Sequence, residues 1–233
     1  MNKLTDRELW LNALHHRYSG RFPSANAMRP EPMQALIAYY GVETFDEVMD
    51  ILGITRTTGI SVDLYDPKWE ERTERQILKS ESPYGGRLLV LHDERTFEDE
   101  WGVIRRVGST GKYDEWISGP LSDMDVPDAS IVQTPPLKQL RYRPDLKEHV
   151  QQLKENGHFT TIGMGNPFRS AWFLRGMEKF LMDYYLHPKF VAEIYDRLVE
   201  RELPRFKVAI EAGVDMITIV GDFAMQDRII MGP

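Results

Sequence analysis

The sequence holds 233 residues, 42% hydrophobic and 28% charged, with a formal net charge of -7. That is enough chain for one substantial core, without the basic excess a nucleic-acid face requires. No apolar run reaches the ~18 residues of a membrane span, and MNKLTDRELWLNALHHRYSG lacks the apolar stretch of a secretion signal. A cytoplasmic protein with neither nucleic acid nor membrane as partner is therefore expected. Cysteine is absent, which excludes disulfides, a thiolate nucleophile and cysteine-ligated zinc within this sequence. The six histidines form no H-x-x-H or H-x-x-x-H pair, so no metal ligands are assigned.

The first third reads as helices. LTDRELWLNALHHRY carries Leu4, Leu11, Leu14 and Tyr18 on a helical period, with Thr5 or Asp6 as N-cap. RPEPMQALIAYYGV opens with prolines suited to a first turn, offers Met33, Leu36, Ile37 and Tyr40 as a buried face, and ends at Gly41. TFDEVMDILGI repeats the pattern between Thr44 and Gly53, with Phe45, Val48, Met49 and Leu52 on one side. Short strands are expected near RFPSANA and RTTGISV. The segments GRLLVLH, EWGVIRRVG and GKYDEWISGP are β-prone runs separated by glycine and read as hairpins. The proline-rich PLSDMDVPDASIVQTPPLKQLRYRP that follows reads as irregular.

From Pro144 the rhythm becomes βα. RPDLKEHVQQLKENG is a helix stopped by Asn156-Gly157, and HFTTIGMG a strand. NPFRSAWFLRGMEKFLMDYYLH is a loop opening into a helix. PKFVAEIYDRLVERELPRFKVAIEAG is a long helical stretch interrupted at Pro204 and ended by Gly213, and VDMITIV is a buried strand. Parallel strands covered by helices place reactive groups at strand carboxyl ends. GMGNPFRSAW, with Asn166, Arg169 and Trp172, and GDFAMQ, with Asp222 and Gln226, occupy that position. A guanidinium grips a carboxylate or phosphate, an aspartate takes a proton, and amides donate and accept hydrogen bonds. Each residue also has a plainer reading. Asp222 and Asn166 suit turns or helix caps, Arg169 a solvated surface, and Trp172 the core. Gly163-Met164-Gly165 is not a dinucleotide fingerprint, because the third glycine and the downstream acid are out of register.

Taken in order, LTDRELWLNAL, YYGVETFDEVMDILGI, DEWGVIRRV, YDEWISGPLSD and the run from FRSAWFLRGMEKF to VDMITIVGDFAMQ resemble the uroporphyrinogen decarboxylase superfamily. DEWG with its PL partner points toward the branch similar to corrinoid-dependent methyltransferases. The resemblance implies a (β/α)8 TIM barrel with its site at the C-terminal rim. This sequence would form a single domain over residues 1–233 that supplies the N-terminal part of such a barrel, with an N-terminal helical region and an inserted β-hairpin region. It implies methyl transfer involving a corrinoid and a small acceptor, with Asp222 catalytic and Arg29, Asn166, Arg169, Trp172 and Gln226 binding substrate. Corrinoid and zinc are implied for a full-length relative, and none is expected to be bound by this stretch alone. A small-molecule substrate, a corrinoid protein or a second copy of the protein are the partners it suggests. Two alternatives stand beside it. One is a decarboxylase of tetrapyrrole synthesis, for which Arg29 and Arg21 are the only arginines near the expected carboxylate-gripping loop. The other is a catalytically inactive remnant or partner-binding module.

Overall fold

The computed structural model describes residues 4–24, 28, 30–64, 89–111, 113–132, 140–219, 221 and 224–230. Among these, seven helices and nine strands make a mixed α/β protein. The helices are α1 (Asp6–Leu14), α2 (Pro30–Tyr40), α3 (Phe45–Leu52), α4 (Leu146–Glu155), α5 (Pro167–Arg175), α6 (Met177–Leu186) and α7 (Pro188–Ala212). The strands are β1 (Thr58–Gly59), β2 (Asp63–Leu64), β3 (Val90–Leu91), β4 (Thr96–Glu98), β5 (Ile104–Val107), β6 (Asp114–Ser118), β7 (Leu140–Arg141), β8 (Thr160–Met164) and β9 (Met216–Ile219). The residues fall into two compact units, one of Met1–Ser61, Tyr142–Gly163 and Val208–Thr218, the other of Val62–Arg141, Met164–Lys207 and Ile219–Pro233.

In the first unit the expected helix starts are formed by capping boxes. Thr5 accepts from the Glu8 N–H while Glu8 reaches back to the Thr5 N–H, and Thr44 and Glu47 repeat the exchange at α3. Each box satisfies two backbone donors that a helix start would leave orphaned. Gly53 closes α3 in the left-handed conformation. A sheet of order β1-β8-β9 follows, with β1 and β8 parallel through Thr58↔Thr160 and Gly59↔Thr161. Leu9, Val48, Ile60, Phe159 and Ile162 are buried here, and the Trp10 ring stacks on Phe159 at 5.5 Å. Asp215 ties the unit together. Its carboxylate accepts from Arg7 Nη2 at 2.9 Å and from the N–H and hydroxyl of Thr160, both at 3.0 Å, with Lys154 Nζ 3.7 Å away. Burial alone would raise this carboxyl's pKa, but the Arg7 and Thr160 donors outweigh it and hold it below its ordinary value.

The second unit holds a four-stranded antiparallel meander, β3-β4-β5-β6, and an antiparallel β2–β7 pair. Its main core gathers Leu121, Phe168, Leu174, Phe180, Ile194 and Leu198 with other buried residues from the loops, α5, α6 and α7. Backbone approach is closest at Gly119, where an added Cβ would lie 2.3 Å from the carbonyl oxygens of both Phe173 and Leu174. Nearby, Trp116 Nε1 donates to the Phe173 carbonyl at 2.8 Å. Arg175, the last residue of α5, is buried with Asp183 of α6. Its Nε lies 2.7 Å from the carboxylate, and its Nη1 donates to the Leu121 carbonyl at 2.7 Å. The hydroxyls of Tyr184 and Tyr195 hydrogen-bond each other beside Phe180. Burial raises the pKa of both phenols; at Tyr195 the Tyr184 hydroxyl adds to the rise.

Several expectations are corrected. Residues 167–186 form two helices rather than one, because Gly176 adopts φ 88° and ψ 137° between them. Pro204 does not interrupt α7, which runs unbroken from Pro188 to Ala212. The packing of buried Leu198, Phe206 and Ala209 on either side offsets the backbone bond that Pro204 cannot make. Strand β9 is not buried: Ile217 is 38% exposed and Ile219 59%. Leu9 is the buried residue of α1, while Leu14 and Tyr18 face outward. Leu52 is exposed, and the predicted face of α2 is only half-buried. The proline-rich segment carries a 3-10 turn at Ala129–Ile131 and strand β7. No strand forms over Arg21–Ser24, and Ala25–Ala27 lie outside the described residues.

Candidate functional site

The expected site divides between the segment after β8 and the segment after β9. Asp222 lies outside the described residues, as does Arg29. The others belong to the second unit. Asn166 is buried at the start of α5, where its Oδ1 accepts from the Phe168 N–H at 3.0 Å and its backbone carbonyl accepts from Ser170. Asn166-Pro167 is thus a helix entry: the amide oxygen satisfies an orphan donor, and proline occupies a position that needs none. Arg169 follows one turn later, its side chain exposed and without a hydrogen bond or ion pair to any described residue. Trp172 is half-buried, covers the main core and meets the Phe173 ring edge-on at 4.1 Å.

Gln226 sits exposed in a small turn closed by the Ala224↔Ile229 bridge and by the Met225 N–H donating to the Arg228 carbonyl at 2.7 Å. Ile230, just beyond, packs on the same hydrophobic cluster that Trp172 covers. One core therefore anchors both segments. Within them the side-chain functions separate. Asn166 and Trp172 serve the fold, while Arg169 and Gln226 offer polar groups to solvent or a bound molecule.

Among the described residues no group of three or more His, Asp or Glu side chains could hold a metal ion. No described helix is long and apolar enough to cross a membrane. Sequence reasoning missed the buried Arg175–Asp183 pair. Its visible signal is a basic residue before Gly176 followed eight positions on by an acid, a spacing that becomes a contact only once the glycine folds α6 back. It also passed over a cleft of about 590 Å³ in the same unit, between Val126–Ala129 and Leu186–Phe190.

No family model matches the sequence, and no curated protein does. Among solved structures, a methyltransferase from Methanosarcina mazei shares the fold at a TM-score of 0.50 and 14% identity. The likeness covers 93% of this chain but 59% of that one, so the sequence spans under two thirds of that structure's length.

Proposed function

We propose that this chain forms part of a methyltransferase-like α/β enzyme, a partial (β/α)8 barrel of uroporphyrinogen decarboxylase type that moves a methyl group between a corrinoid and a small acceptor. The observation that supports the reading is fold likeness over 93% of the chain to a methyltransferase. Asp222, beyond β9, is the proposed group that accepts a proton or orients the acceptor. Arg169, Gln226 and Arg29 are the proposed polar contacts, with Arg169 the fixed charge opposite a carboxylate or phosphate arm. The donor set does not fit zinc: the sequence has no cysteine, and the described residues bring no three ligating side chains together.

The test is an absorbance titration of the purified protein with methylcobalamin. Saturable binding that weakens in Arg169→Ala and Asp222→Ala, but not in the exposed-surface variant Glu211→Gln, is the expected result. Binding of a porphyrin carboxylate in place of the corrinoid would move the assignment to the tetrapyrrole decarboxylase, and binding of neither would overturn the enzymatic reading. The exposed Ile217 and Ile219 of edge strand β9 favour a second reading, that of a partner-binding module.

A further inference from the structure

Of the five asparagines in the sequence, only Asn156 precedes a glycine, and that pair closes α4 in the first unit. Gly157 takes a left-handed φ of 82°. Its N–H donates to the Lys154 carbonyl at 3.0 Å, and the His158 N–H donates to the Leu153 carbonyl at 3.0 Å. These two bonds are the Schellman pattern that satisfies the last carbonyls of a helix. The turn is also a joint between elements. The Gly157 carbonyl accepts from the Arg7 N–H of α1 at 2.9 Å, and a Cβ at Gly157 would lie 2.7 Å from the side chain of Thr5, the N-cap of α1. Arg7 in turn grips Asp215, which holds Thr160 of β8.

The Asn156 side chain takes no part in this joint. It is exposed and makes no hydrogen bond to any described residue, so its amide carbon is open to attack. The neighbouring nitrogen belongs to a glycine and has no side chain to shield it. The turn itself holds the reaction back. Gly157 N is engaged with Lys154, and the ψ of 8° at Asn156 turns that nitrogen away from the side-chain carbon, which ring closure must bring nearly eclipsed with it. Other asparagines lack these conditions. Asn166 is buried, binds the Phe168 N–H and precedes Pro167, whose nitrogen carries no proton to lose. Asn12 lies inside α1.

We propose that Asn156 is a site of non-enzymatic backbone modification, timed by opening of the last turn of α4. When the turn opens, the Gly157 amide nitrogen gives its proton to solvent base and attacks Asn156 Cγ. The N–Cγ bond forms, the Cγ–Nδ2 bond breaks, and the leaving nitrogen takes a proton from water and departs as ammonia. Water then opens the succinimide at either carbonyl, leaving aspartate or β-aspartate at position 156. The β-aspartyl form adds one carbon to the main chain between α4 and β8, which shifts Gly157 off Lys154 and Arg7 and loosens the joint to α1. The assignment is independent of methyl transfer.

Trypsin releases Glu155–Arg169, a peptide that holds Asn156 and Asn166 together. The full chain is aged at mildly alkaline pH, folded or in guanidinium chloride, and the acid at each asparagine is read by mass spectrometry with fragmentation that separates the two aspartyl forms. Acid should accumulate at Asn156 and not at Asn166 in the folded chain, and about tenfold or more faster in the unfolded one, where the turn is always open. Folded protein enriched in β-aspartate should show a lower urea midpoint. Asn156→Asp, which brings the charge without the extra carbon, should stay near the wild-type midpoint. A folded chain that keeps its amide while the unfolded chain converts overturns the proposal. Equal rates in the two states also overturn it, because the turn is then no gate. A β-aspartyl protein with the wild-type midpoint, or an Asn156→Asp midpoint equally low, overturns the backbone mechanism.

Discussion

At the scale of single residues, two positions carry consequences that can be measured. Gly119 has no room for a methyl group, since an added Cβ would meet two carbonyl oxygens at 2.3 Å. Those atoms belong to backbone and cannot swing aside. Gly119→Ala is expected to lower stability by about 1–3 kcal/mol, read as a lower urea midpoint. Asp215 acts through charge. Its folded pKa lies below the unfolded value of about 3.9, so its contribution is complete above that pH and fades as pH falls through the lower folded value. Asp215→Asn should lose about 1.5–3 kcal/mol near neutral pH. The variant should also flatten the acid limb of a stability–pH profile measured by urea unfolding. A profile as steep as the wild type's would remove Asp215 from that role. Neither residue was visible in the sequence as structural: Gly119 reads as an ordinary strand end, and Asp215 as part of an approach to a strand. Their importance comes from partners far along the chain.

At the scale of elements, much was legible because the signals are local. Thr5 with Glu8 and Thr44 with Glu47 announce α1 and α3, and Gly53 and Gly213 mark helix stops through backbone conformation alone. Thr44→Ala should cost about 1 kcal/mol, with a matching drop in thermal midpoint, because the Glu47 N–H loses its side-chain acceptor. The elements that escaped were those decided by packing. Pro204 is a helix breaker in isolation, yet α7 passes through it. Pro204→Ala supplies the missing N–H and is expected to stabilise the protein by up to about 3 kcal/mol, seen as a higher urea midpoint. Strand β4, only Thr96–Glu98, is held by pairing with β3 and β5 and has too few residues for a period to show. Within the candidate site, Asn166-Pro167 was legible as a turn signal. The separation of Arg169 at the surface from Trp172 against the core depends on which side of α5 meets Phe180 of α6, and no local pattern states that.

At the scale of the whole molecule, the exposed isoleucines of β9 are the clearest departure from a self-sufficient sheet. An edge strand with apolar side chains in water invites pairing. Sedimentation should therefore show concentration-dependent association, and Ile217→Lys with Ile219→Lys should reduce it while leaving helical content intact. Association unchanged by both lysines would place the contact elsewhere. The acidic net charge of -7 opposes such association and makes it stronger in high salt, the reverse of an ion-paired interface.

The Tyr184–Tyr195 hydroxyl pair gives the protein a built-in optical reporter. Free tyrosine loses its proton near pH ~10, while these two phenols resist ionisation until their surroundings open. In an alkaline titration, some phenolate absorbance of the protein's 10 tyrosines should lag behind and emerge together with the collapse of helical ellipticity. The same chemistry drives the event: because the denatured chain ionises more readily than the native one, base weakens the packing between α6 and α7.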